Sequence, residues 1–211
     1  MHKESGIQDL KNAYIGVLEI LSKYLESTDR YTKGHSIRVA QLATEIAIAM
    51  GFHRTSVENI KAAALLHDIG KVDVSIDLIR KASKLTIVEK KAVDTHVEKG
   101  VNLLKSVGNV LSEAVPIVES HHKIYKDMEK DNAKSLSSEA KLGAYIIAVA
   151  DTYDAIITDR PYRAGKTPAK ALEEIEKESG NQFHPEVVNA FKRVYEAHIS
   201  EFEDNIAPFK V

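Results

Sequence analysis

The chain has 211 residues, 44% of them apolar, enough to bury a core and to form one domain. Its 29 Lys and Arg against 31 Asp and Glu leave a net charge of −2, which excludes the basic field that captures long nucleic acids but leaves room for a small anion held by a few local cations. With no cysteine, disulfides, iron–sulfur clusters and thiolate zinc sites are excluded, so any metal must be held by histidine and carboxylate.

Nearly every segment has helical period. Ile7, Leu10, Tyr14, Val17, Leu18, Leu21 and Leu25 predict a helix from about Ile7 to Glu26 with one apolar face, and Val39, Leu42, Ala43, Ile46 and Met50 predict a second that stops at Gly51. Thr55-Ser56-Val57-Glu58 and Thr86-Ile87-Val88-Glu89 match the Ser/Thr-x-x-Glu capping box, so helices are expected to start near Ser56 and Ile87. Pro116 fits the first turn of a helix reaching about His122, and another is expected from about Ser138 to Thr158, with Pro161 after it. Thr167-Pro168 and His184-Pro185 pair a cap with a first-turn proline for two last helices. Lys123 to Ser138, polar and charged, reads as a loop. No alternating strand pattern is found, so the expected fold is all-α, a bundle of roughly seven to nine helices. The N-terminus lacks an apolar signal segment and the longest apolar stretch, Ala144 to Ala150, cannot span a bilayer, so a cytoplasmic protein with no membrane association is expected.

His67-Asp68, with Lys71 three residues on, closes an apolar run in which an unpaired carboxylate is expensive to bury. His35, His96, His121, His122 and Asp151 are the other polar residues that could converge with it, and His35, His67, His121 and Asp151 each continue an inward helical stripe. A lone inward His is more often a hydrogen-bonded core residue than a ligand; it is the conjunction of seven such groups that points to a metal cluster. A mixed nitrogen and oxygen donor set suits first-row transition metals. His2, His53 and His198 read as exposed or boundary residues, and His184 as a helix cap.

The order His35, His67-Asp68, Asp151 resembles the HD-domain metal-dependent phosphohydrolase superfamily. Asp29-x-Tyr31-Thr32-x-Gly34-His35-Ser36, Leu66-His67-Asp68-Ile69-Gly70-Lys71, His96-x-x-x-Gly100, His121-His122, and Ala150-Asp151-x-Tyr153-Asp154-Ala155 through Arg160-Pro161-Tyr162-Arg163 resemble its HD-GYP subfamily, over about Asp29 to Phe191. Two departures stand out. The family's Glu and Asp-Gly-x-Gly-Tyr-Pro loop after the paired histidines is replaced by Lys123 to Asp131, and Tyr31 stands where trinuclear members carry a glutamate. The resemblance divides the chain into an amphipathic helix, residues 1–28, packed on or leading into the domain, and an HD-GYP-like phosphohydrolase domain, residues 29–211.

What the resemblance implies is hydrolysis of cyclic di-GMP at two transition-metal ions, Fe or Mn favoured over Ni or Zn, with Tyr31 too poor a ligand for a third. Asp68 would bridge the ions, His35, His67 and Asp151 completing one coordination sphere and His96, His121 and His122 the other. A hydroxide bridging ions roughly 3.5–4 Å apart would attack phosphorus in line. Lys71 would stabilise the developing charge, and Arg160 and Arg163 would grip the substrate phosphates. The alternatives are an HD phosphohydrolase acting on another nucleotide, and a catalytically weak metal-containing sensor or interaction domain. The first helix could serve as core, as a homodimer seam or as the tail of an upstream signalling domain.

Overall fold

The computed structural model describes residues 2–27, 33–79, 81, 83–130, 136–159 and 163–197. The helices are α1 (His2–Glu26), α2 (His35–Ala49), α3 (Arg54–Leu66), α4 (Ile76–Ile79), α5 (Ile87–Asp94), α6 (His96–Ser106), α7 (Val115–Ser120), α8 (Tyr125–Lys130), α9 (Ser138–Ile157), α10 (Pro168–Lys177) and α11 (Pro185–Ala197). Among the described residues three of them, α4, α7 and α8, have six residues or fewer, and the other eight fall within the expected seven to nine. Two 3-10 turns, Ile69–Asp73 and Gly108–Leu111, join them, and among the described residues there is no strand beyond one isolated bridge between Ser179 and Phe183. The all-α expectation is borne out.

The start signals act as physical caps in most cases. Thr86 accepts from the Glu89 amide while the Glu89 carboxylate accepts from the Thr86 amide, a complete capping box that Lys81 reinforces at 2.6 Å. Ser137 and Thr167 cap α9 and α10 through their hydroxyls, and the His184 ring accepts from the Glu186 amide at 3.2 Å. The box expected at Thr55 to Glu58 is absent. α3 starts at Arg54 with His53 as its cap, because Glu58 is drawn instead to Lys11 of α1 (2.7 Å) and to Arg54 (3.2 Å). The stretch read as a loop also contains α8. It is pinned by the Tyr125 and Lys126 amides donating to Gln182 and Asn181 carbonyls and by the burial of Met128, all partners remote in sequence.

α2 and α9 pack on each other and form the centre. α3 and α11 contact both, α7 and α10 flank α9, and α1 lies across α3 and α2. Ile46, Ile60, Ile146, Ile147 and Phe191 are fully buried between these layers. Apolar stripes every three to four residues produce this arrangement by removing one face of each helix from water. The exception is α1, whose apolar residues do not share one face. Tyr14, Leu18 and Leu25 pack on the body, while Leu10, Val17 and Leu21 point outward.

The 3-10 turn after Asp68 lies directly against α6, an approach that only glycine permits. A Cβ at Gly70 would collide with the His96 carbonyl oxygen and the Gly100 backbone. Gly70→Ala is therefore expected to push the turn and α6 apart, costing about 1–3 kcal/mol or more as backbone overpacking. Urea unfolding of the variant measures this; an unchanged midpoint would show that the contact yields without cost.

Candidate metal centre

Four of the five clustered histidines are oriented through Nδ1, three of them by a local device. His67 and His121 each directly follow the last residue of a short or medium helix, and His96 is the first residue of α6. In each, Nδ1 lies 2.6–2.7 Å from the carbonyl three residues back: Ala64, Val93 and Val118 respectively. A carbonyl only accepts, so Nδ1 carries the proton and Nε2 presents a lone pair. His35 achieves the same with a carboxylate, its Nδ1 donating to Asp154 Oδ2 at 2.7 Å. Orientation of a ligand imidazole through its other nitrogen is a general property of metal sites.

These lone pairs converge around Asp68. Its Oδ2 lies 3.4 Å from His67 Nε2, 3.8 Å from His35 Nε2 and 2.6 Å from Lys71 Nζ, while its Oδ1 lies 3.4 Å from His96 Nε2. Asp151, projecting from α9, sits 3.3 Å from His35 Nε2. Two groups result, His35 with His67 and Asp151, and His96 with His121 and His122, and within each the ligand atoms lie within 4.8 Å of one another. The His67 and His121 rings, 5.2 Å apart between centroids, join the two. All seven residues singled out in the sequence thus come together, His122 at the exposed edge.

The donor set fits metal ions. His96 Nε2 and His121 Nε2 are buried and have no hydrogen-bond partner among the described residues, a costly state for lone pairs unless a cation takes them up. Burial pushes the His121 pKa down to about 3 and lowers those of His96 and His122, keeping these rings neutral as ligation requires. Burial, the largest influence on Asp68 and Asp151, would raise their pKa values. It is outweighed at Asp68 by Lys71 and the histidines around it, and at Asp151 by His35, so both remain anionic. At His35, burial is opposed by Asp151 and Asp154, which raise its pKa to about 10. That extra proton sits on Nε2, facing Asp151, and stands in for a cation between two carboxylates; an ion bound there would displace it and free the lone pair.

Three supporting residues, Asp154, Arg38 and Glu26, were given no role by the sequence reading, although Asp154 lies within a quoted motif. Asp154 receives Arg38 Nε at 2.5 Å on Oδ1 and Arg38 NH2 at 3.0 Å on Oδ2, the oxygen that also takes the His35 proton. Its position three residues after Asp151, matched by Arg38 three after His35, was the available signal. Glu26, at the end of α1, accepts from the Gly34 and Ser36 amides at 2.6 Å, clasping the backbone on both sides of His35. Gly34 makes that turn at φ 74°, a left-handed conformation natural to glycine. Asp154→Ala is expected to weaken metal affinity about 10–100-fold by freeing the His35 ring. Metal titration monitored by calorimetry checks it, and wild-type affinity would remove Asp154 from the site.

The remaining candidates behave differently. Lys71 is ion-paired with Asp68 and about a third of its side chain is exposed. Arg163 donates through NH2 to the Ala155 carbonyl at 2.6 Å, closing the C-terminal end of α9. Arg160 and Tyr31 lie outside the described residues.

With this geometry in place, the comparisons define the class. The chain belongs to the HD domain family, whose model matches residues 19–187, and the reading of it as HD-GYP type is borne out. It is 35% identical over 179 residues to a cyclic di-GMP phosphodiesterase of Thermotoga maritima, covering 84% of this chain and 48% of that protein. It is 29% identical over 181 residues to 3'3'-cGAMP-specific phosphodiesterase 2 of Vibrio cholerae, covering 85% and 34%. The fold matches the HD domain of the L. monocytogenes phosphodiesterase PgpH in complex with cyclic-di-AMP, with a TM-score of 0.58 at 19% identity over 90% of this chain and 98% of that one. The chain spans about half, or less, of the length of these curated relatives. No helix among the described residues is long and apolar enough to cross a membrane.

Proposed function

We propose that this chain is a cytoplasmic metal-dependent phosphodiesterase that opens a cyclic dinucleotide, with cyclic di-GMP the first substrate to expect. The observation that carries the reading is the pair of His-rich groups on either side of one carboxylate, with an ammonium beside it. His35, His67 and Asp151 would hold one ion, His96, His121 and His122 a second, and Asp68 both. Nitrogen and carboxylate donors accept Fe, Mn, Ni and Zn alike, and the family resemblance is what puts Fe or Mn first. When bound, such ions lower the pKa of water and withdraw charge from phosphoryl oxygens.

The chain's own residues supply the rest. The four oriented imidazoles hold their lone pairs in place before substrate arrives, so no reorganisation is needed at the moment of reaction. Lys71 offers N–H donors on the exposed side of Asp68, where a phosphoryl oxygen gains charge as the P–O bond breaks. Arg163, anchored on Ala155, and Arg160 are the proposed grip on the substrate phosphates. The cyclic dinucleotides named for the relatives support this substrate class.

One feature favours a second reading. Where the family has its Gly-rich loop, this chain has α8 and its flanks, and substrate capture there is expected to be weak or altered, giving a high Michaelis constant. The deciding assay measures metal content and incubates Fe- or Mn-loaded protein with cyclic di-GMP, other cyclic dinucleotides and mononucleotides, resolving products by chromatography. Two ions per chain and linearised dinucleotide are expected. Three filled sites overturn the two-ion assignment, brisk turnover of mononucleotides alone changes the substrate, and a fully metallated protein that turns over nothing is a sensor.

A further inference from the structure

The outward face of α1 carries Leu10, Val17, Ile20, Leu21 and Tyr24, with Leu10 73%, Ile20 70% and Tyr24 73% exposed. Leu10, Val17 and Tyr24 recur every seven residues, and Ala13 and Ile20 follow the first two by three, which are the a and d positions of a heptad seam. The other face of the helix is already committed. Tyr14, Leu18 and Leu25 pack on the body, Ser22 Oγ donates to the Leu65 carbonyl at 2.6 Å, and Lys11 and Lys61 make ion pairs across to and from α3 at 2.7 and 3.1 Å. The helix is therefore ordered before anything docks on it, and association does not bear the cost of helix nucleation.

We infer that this stripe is the seam of a homodimer in which α1 lies antiparallel against α1 of a second copy. Orientation follows from volume and charge. In an antiparallel pair a positions face d positions, so Leu10 meets Ile20, Ala13 meets Val17, and Tyr24 meets Gly6, where no atom lies within 4 Å of the place a Cβ would occupy. The g positions face each other across the same seam, which brings Asp9 opposite Lys23, twice by symmetry. A parallel pair would instead stack Tyr24 on Tyr24 and leave Asp9 and Lys23 two heptads apart along the axis. The seam from Gly6 to Tyr24 is about 27 Å long. This inference is independent of the catalytic reading, since none of these residues touches the metal centre.

Sedimentation of the 211-residue chain tests it. The wild-type protein should be a concentration-dependent dimer, and Val17→Glu with Ile20→Glu should be a monomer with the same helical circular dichroism and with the melting temperature of the wild-type chain diluted below its dissociation constant. Asp9→Lys and Lys23→Asp should each raise the dissociation constant roughly 5–10-fold, and the two together should return it to near the wild-type value. Because the chain has no cysteine, orientation can be read by cross-linking. Oxidation of mixed Ala13→Cys and Val17→Cys chains should give the mixed product. A monomeric wild-type protein, a dimer that survives the double glutamate variant, or cross-links only between identical chains would overturn the proposal.

Discussion

Asp68→Ala is expected to strip both ions from the protein and abolish hydrolysis. The other ligand candidates face one group or the other, whereas the two oxygens of Asp68 face in both directions, Oδ2 toward His35 and His67 and Oδ1 toward His96. Its removal leaves each group one anion short and leaves the Lys71 ammonium without its partner. Elemental analysis after gel filtration, alongside the hydrolysis assay, gives the result directly. An Asp68→Ala protein that keeps two tightly held ions would remove the bridging role. Asp68→Asn refines the test, because it preserves shape while deleting charge and should lose the ions as well.

Lys71→Ala should behave in the opposite way, keeping its metals and losing rate. Its Nζ is 2.6 Å from Asp68, but it is partly exposed and contributes no lone pair, so bound ions replace its charge at the carboxylate without loss. What disappears is one preorganised donor to the developing phosphoryl charge, worth roughly 10²–10³ in turnover. The effect should fall on the rate constant more than on the Michaelis constant. Metal content settles the alternative: if the site empties in Lys71→Ala, the lysine holds Asp68 in place instead of acting on substrate.

Much of this was legible beforehand. Most of the helical map, the caps at Thr86, Thr167 and His184, and the inward orientation of His35, His67, His121 and Asp151 follow from periodicities and spacings of three and four, which act within one helix. The spacing also made the His67-Asp68-x-x-Lys71 run stand out, since an apolar stretch does not end on a carboxylate without compensation.

The misreadings share one physical origin, a partner distant in the chain that competes with a local one. Glu58 could have capped its own helix start but pairs with Lys11, 47 residues away. Lys123 to Ser138 is polar enough to be loop, yet the carbonyls of Asn181 and Gln182 hold its first part helical.

By itself the sequence determined the chemistry available to this protein: helices, five histidines and two aspartates able to bind metal, and no thiol. Those are properties of residue type and local spacing. Only the tertiary structure decided which ring nitrogen faces inward at His35, through an aspartate 119 residues away, and that Glu26 clasps the turn that carries it. It also split the apolar residues of α1 into a buried half and an exposed half, because the body offers that helix a single side to pack on. A pattern can say that a surface is apolar; what covers it depends on where the rest of the chain has gone.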